Sequence, residues 1–180
     1  MARSEMEQRS VPIPESVQVE LSKCILKVTG AKGTLSKDFS QMPLHLSTDG
    51  KNVLISASWP RKREISLVGT AAAHVRNMMK GVTIGHMYKM KIVYAHFPAT
   101  VKVREKEGKI IVDNFTGERT SRAAKIVGDT KVTLSGDEVI IEGVDLESVS
   151  QTAANLQATT RIKEKDQRVF LDGIYVYEKS

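Results

Sequence analysis

Cysteine is almost absent from this chain of 180 residues: Cys24 stands alone. A single thiol excludes an internal disulfide and a cysteine zinc cluster, and it suits a reducing compartment. Its neighbours Ile25, Leu26 and Val28 make it read as a buried strand residue rather than a reactive thiol. Aromatic residues are also scarce, at 5%. That argues against single-strand binding by base stacking and toward backbone contacts with folded, double-helical RNA. No apolar run approaches the roughly 18 residues of a membrane span, and the opening MARSEMEQRS, without the apolar core of a signal peptide, reads as a polar tail over residues 1–14.

Catalytic signatures are missing as well. Neither a G-x-x-x-x-G-K-[ST] nor a G-x-G-x-x-G phosphate loop occurs, and there is no G-x-S-x-G elbow. His45, His74, His86 and His96 fall in different elements without ligand spacing, and His74 reads as a partly buried, satisfied imidazole. Asp137 and Glu138 sit in a turn, where solvation accounts for them. The expectation is a protein that is not an enzyme, with no catalytic residue, metal, cofactor or small-molecule substrate.

What is present is charge, unevenly placed. The net charge is +6, a mild pointer to nucleic acid. Residues 59–91 hold Arg61, Lys62, Arg63, Arg76, Lys80, Lys89 and Lys91 against Glu64 alone, which accounts for the whole net charge; the remaining basic and acidic residues cancel.

Periodicity organises the rest. Alternation from Val17 gives five candidate strands, ending in KNVLISA. Ile65, Val68, Ala72, Val75 and Met79 then recur at helical spacing up to about Gly81. The second half replays this order: strands around Val101–Val103, KIIVDNF, TKVTLSG and EVIIEG, then a helix capped by Asp145 with Val149, Ala153, Leu156 and Thr160 inward. VFLDGIYVY reads as a last strand interrupted at Gly173. DGKNVLIS aligns with SGDEVIIE, and TAAAHVRNMM with TAANLQATTR. The fold class that follows is α+β, two tandem duplicated domains, each a small mainly antiparallel sheet arrangement packed on one helix. Residues 15–83 form the first repeat and 84–180 the second. Between them HMYKMKIVY reads as a long strand with a basic outer face.

Three places offer cations in loops or helix ends, where phosphate neutralisation needs no base readout. They are Arg61, Lys62 and Arg63; Arg119, Arg122 and Lys125; and Arg161, Lys163, Lys165 and Arg168. The third, in the second repeat, is the first place to look for RNA. There the helix carries Ser150, Gln157 and Arg161 where the first has Val68, Val75 and Met79, so it covers less apolar surface and ends in a basic loop.

AHVRNMMKGVTIGHMYKMKIVYAHFP, NFTGE, QTAANLQATTRIKEKD and RVFLDGIYVYEK resemble the large-subunit ribosomal protein L-six family in its archaeal and eukaryotic branch, the archaeal type above all, from about Ile13 to Lys179. His86 and Thr116 depart from the branch pattern, at positions that concern local packing. The resemblance implies a cytoplasmic constituent of the large ribosomal subunit. It would bind large-subunit ribosomal RNA near the sarcin–ricin loop and the stalk base, beside other ribosomal proteins, with translation-factor GTPases nearby and no membrane. It implies the second domain as the main RNA-binding one, with Arg161, Lys163, Lys165 and Arg168 as the basic contacts. The alternatives are a free-standing RNA-processing factor, which needs turnover and a polar pocket, and a protein-interaction scaffold, whose binding would survive high salt.

Overall fold

The computed structural model describes residues 6–95, 97–163, 166 and 168–180. The chain divides into two compact units, the first ending at Gly85 and the second beginning at His86.

The first unit opens with a strand where the sequence reads as a polar tail. β1 (Met6–Pro12) pairs antiparallel with β6 (Asn52–Ser58), Met6 opposite Ser58 and Pro12 opposite Asn52. β1 buries only Val11, because it lies at the edge of its sheet with polar side chains outward. Such a strand shows little apolar alternation, which is why it escapes a pattern search. β5 (His45–Thr48) covers the other side of β6. A separate meander runs β2 (Gln18–Ser22), β3 (Ile25–Gly30) and β4 (Gly33–Asp38). Cys24, read as a strand residue, instead occupies the two-residue turn between β2 and β3 and is half-buried. Lys23 before it takes φ of 56° to make the reversal.

Both sheets need an apolar cover, and α1 (Lys62–Thr83) supplies it. Val68, Ala71, Ala72, Val75, Met78, Met79 and Val82 are buried on it, facing Leu26, Val28, Val53 and Ile55 from the strands. The alanines allow close approach, and at the last turn the backbone of Gly30 lies against Val82, where any Cβ would fall 2.8 Å from its carbonyl oxygen. His74 is half-buried, its Nδ1 3.3 Å from Lys37 Nζ.

The second unit repeats the plan. β7 (His86–Val93) pairs with β12 (Glu138–Gly143), and β12 with β11 (Lys131–Ser135). A meander of β8 (Thr100–Arg104), β9 (Lys109–Asp113) and β10 (Arg122–Lys125) forms the other sheet. α2 (Leu146–Thr159) covers a core of Met90, Ile110, Val112, Ile141 and Ile174. The strand between the repeats therefore starts the second copy: β7 lies beside β12 as β1 lies beside β6. The duplicated order is strand, meander, hairpin, helix.

β13 (Gly173–Lys179) is an addition. It pairs antiparallel with the free side of β7, Gly173 opposite Val93, and makes the sheet four-stranded, whereas the corresponding side of β1 stays an edge among the described residues. The strand begins at Gly173, so Val169–Asp172 lie outside it, contrary to the sequence reading. With β13 beside it, β7 loses half its basic outer face: Lys89 donates to Glu178 Oε2 at 2.9 Å, while Lys91 remains exposed. That hydrogen bond, more than the surrounding charges, raises the Lys89 pKa above its ordinary value.

Candidate nucleic-acid interface

The basic loop after α2 is built from the helix outward. Asp145 sits at the N-cap and accepts the backbone N–H groups of Glu147 and Ser148 at 3.2 and 3.1 Å, while the Ser148 hydroxyl donates to it at 2.6 Å. These satisfy amide donors that the helix leaves open. Val149, Ala153 and Leu156 then bury one face, and Thr152 and Thr160 are buried beside them. The opposite face shows Ala154, Gln157 and Ala158 to solvent. Fewer apolar side chains are buried on α2 than on α1, as the substitutions at Ser150, Gln157 and Arg161 imply.

Thr160 ends the helix and closes the loop. Its Oγ1 accepts the N–H of Ile174 at 3.2 Å, joining the last helical turn to the start of β13. The return is tight at Gly173, where a Cβ would lie 2.7 Å from the Tyr175 ring. Asp172 Oδ1 accepts the Ala95 N–H at 2.6 Å and fixes the same segment to the end of β7. Between these pins Arg161, Lys163 and Arg168 are exposed. Asp166 shapes the turn carrying Arg168: its Oδ1 accepts the Arg168 N–H at 2.9 Å and its carbonyl accepts the N–H groups of Val169 and Phe170. Lys165, expected to join them, lies outside the described residues. An open groove between the outer face of α2 and the return segment is lined by Ala154, Ala158, Arg161, Leu171 and Tyr175.

Arg122 behaves differently from the other cations of its segment. The stretch 117–125 reads as a loop, but Arg122–Lys125 is β10, an edge strand that buries only Ala124 and so carries little pattern. From it the Arg122 guanidinium donates to both carboxylate oxygens of Glu118, at 2.6 and 2.9 Å, and through Nη1 to the carbonyls of Thr159 at 2.8 Å and Arg161 at 3.1 Å. It lies over the buried Phe115 ring, 4.6 Å from the centroid. The last carbonyls of a helix lack intrahelical partners and carry partial negative charge. Arg122 satisfies them and so fixes the point from which Arg161 projects. This role went unseen in the sequence, since its partners are 37 and 39 positions away. Arg119 and Lys125, by contrast, are exposed.

In the first unit Arg61 is the N-cap of α1, and Lys62 and Arg63 occupy its first turn; all three are exposed. Cations there oppose the helix dipole. Glu64 offsets this, its carboxylate accepting the Arg61 backbone N–H. Among the described residues, no group of three or more His, Cys, Asp and Glu side chains comes together in a way that could hold a metal ion, and no helix is long and apolar enough to cross a membrane.

Two duplicated α+β units with exposed cations at the start of one helix and beyond the end of the other define a class of small basic two-domain protein. Comparison with known proteins gives the family. The model of "Ribosomal protein L6" matches residues 13–85 and 97–173, one match for each unit, and the chain belongs to that family, whose members are structural proteins and not enzymes. Among its relatives are the large ribosomal subunit protein uL6 of Staphylothermus marinus, 45% identical over 93% of this chain and 92% of the relative, and that of Desulfurococcus amylolyticus, 44% identical over 99% and 98%. The uL6 protein of Methanosphaera stadtmanae is 46% identical over 94% and 91%.

Proposed function

We propose that this chain is a structural constituent of the large ribosomal subunit and grips large-subunit ribosomal RNA chiefly through the pinned loop of the second unit, with Arg161, Lys163 and Arg168 on phosphates. Arg119 and Lys125 extend the same charge, and Arg61, Lys62 and Arg63 supply a contact on the first unit. The observation carrying this reading is the loop itself: exposed cations between fixed ends, its helix-side carbonyls held by Arg122. Cations already positioned lose little freedom on meeting a phosphate backbone, so more of their attraction appears as affinity. The contact site is RNA near the sarcin–ricin loop and the stalk base, beside other ribosomal proteins and close to where translation-factor GTPases work. Support for that finer placement is the likeness of the strings around Arg161 and Gly173 to the family pattern.

Lysate fractionated on a sucrose gradient tests the assignment. The protein should travel with the large subunit, and cross-links from the 161–168 loop should fall on ribosomal RNA at the sarcin–ricin and stalk-base region. Migration at the top of the gradient defeats the assignment to the subunit; cross-links elsewhere in the RNA defeat only the placement.

A further inference from the structure

The lone tryptophan of the chain stands on a backbone that bulky residues avoid. Trp59 has φ of 51°, in the left-handed region. Such a conformation persists where flanking structure dictates it, and it concentrates at ligand-contacting positions. Here β6 is held in its ladder up to Ser58, and on the other side Pro60 is buried and Arg61 begins α1. The turn between strand and helix throws the indole outward, 60% exposed. A ring of this size left in water forgoes the stabilisation that burial gives, and it is not among the buried residues of the first unit.

Immediately after it come the exposed cations Arg61, Lys62 and Arg63. Glu64 is the acid of the segment, and its carboxylate is taken by the helix start. The first buried position of α1 is Val68. Packing therefore requires neither the tryptophan nor the three basic side chains, yet the fold presents them side by side on one turn.

We propose that Trp59, Arg61, Lys62 and Arg63 form a second RNA contact that takes an unstacked nucleotide, its base on the indole face and its flanking phosphates on the three cations. It rests on the proposed RNA contact of Arg61, Lys62 and Arg63 and adds to it the tryptophan and the base, and it lies on the other unit from the pinned loop. Any base offers a π face, so one well-presented ring suffices where the chain is otherwise poor in aromatics. Charge decides against a protein partner: cations, lysine above all, are depleted from protein interface cores, because desolvating them without acids is costly, whereas phosphates flanking a stacked base neutralise them.

Because Trp59 is the only tryptophan, its emission reports the contact directly. The full chain is titrated with a mixed-sequence single-stranded RNA of about 12 nucleotides, with a perfect RNA duplex, and with RNA-free proteins stripped from large subunits. The single strand should quench the emission, less so as salt rises, and the duplex should bind without quenching. Trp59→Gly suits the positive φ and keeps the fold by circular dichroism; it should weaken single-strand binding about tenfold. Changing Arg61, Lys62 and Arg63 together to glutamine should lower the salt slope by about 2. Single-strand binding with unchanged emission and unchanged affinity in Trp59→Gly overturns the proposal and leaves the pinned loop standing. Quenching by the stripped proteins alone overturns it in favour of a protein partner. Failure to bind either RNA defeats both readings.

Discussion

Nη1 of Arg122 donates to the carbonyl oxygen of Arg161 at 3.1 Å, joining residues 39 positions apart in sequence. One arginine thereby orients another. The first is shielded, with a side-chain exposure of 21%, while the second faces solvent, so removing each should leave a different signature.

Arg122→Gln should cost about 1–3 kcal/mol in urea unfolding, from charge-assisted hydrogen bonds lost to Glu118 and the helix carbonyls. Amides of the last turn of α2 should exchange faster. Ribosomal RNA affinity should fall with its salt slope nearly unchanged, since no phosphate contact disappears. A slope reduced by about 1 would show that Arg122 itself meets a phosphate.

Replacing Arg161, Lys163 and Arg168 together by glutamine should produce the opposite pattern. Stability should stay within about 0.5 kcal/mol, as for exposed positions generally. The slope of log affinity against log salt should become shallower by about 2–3, one phosphate for each cation. An unaltered slope would make these residues solvated charge only.

Leu156→Ala, at a fully buried position, should cost about 3 kcal/mol through the cavity it leaves. Asp145→Ala should cost about 1 kcal/mol through the lost helix cap. Thermal unfolding of the two variants checks the order, and equal losses would contradict the capping geometry.

The Asp113 carboxylate is held below the ordinary carboxylate range, first by its hydrogen bond from Lys102, 2.8 Å away, and then by one from Ser121. A depressed folded-state pKa contributes stability that is present above the unfolded value and lost as pH falls through the folded one. Carboxyl NMR should therefore give Asp113 a midpoint below that of an ordinary aspartate, and Lys102→Met should move it upward. A midpoint unmoved by Lys102→Met would discount the pair.

Much of this was legible in the sequence for a physical reason. The stripe Val149, Ala153, Leu156 and Thr160 and the Asp145 cap are local patterns, and the structure keeps both. The match of DGKNVLIS to SGDEVIIE located β6 and β12, central strands whose apolar alternation is strong. Two edge strands were lost, although the edges β2, β4, β5, β8 and β11 were found. β1 buries Val11 alone and β10 Ala124 alone, so each reads as polar chain. β7 was seen as a strand but its membership was not, because pairing partners are a non-local property. Arg122 illustrates the same limit within the site: its residue type pointed to RNA, and only the fold places the C-terminal end of α2 beside it. Trp59 was invisible as a site because composition averages over all positions.

The extra strand β13 has a consequence for synthesis. Val93, which ends the first strand of the second unit, waits for Gly173 before that side of its ladder can close. The first unit has no such debt, since its sheets and helix are complete once Gly85 has been made. The first half can thus fold while the nascent chain is still growing, and the second must hold an open sheet edge until nearly the whole polypeptide has emerged. During that interval the exposed edge of β7 is the part of the molecule most in need of protection from mispairing.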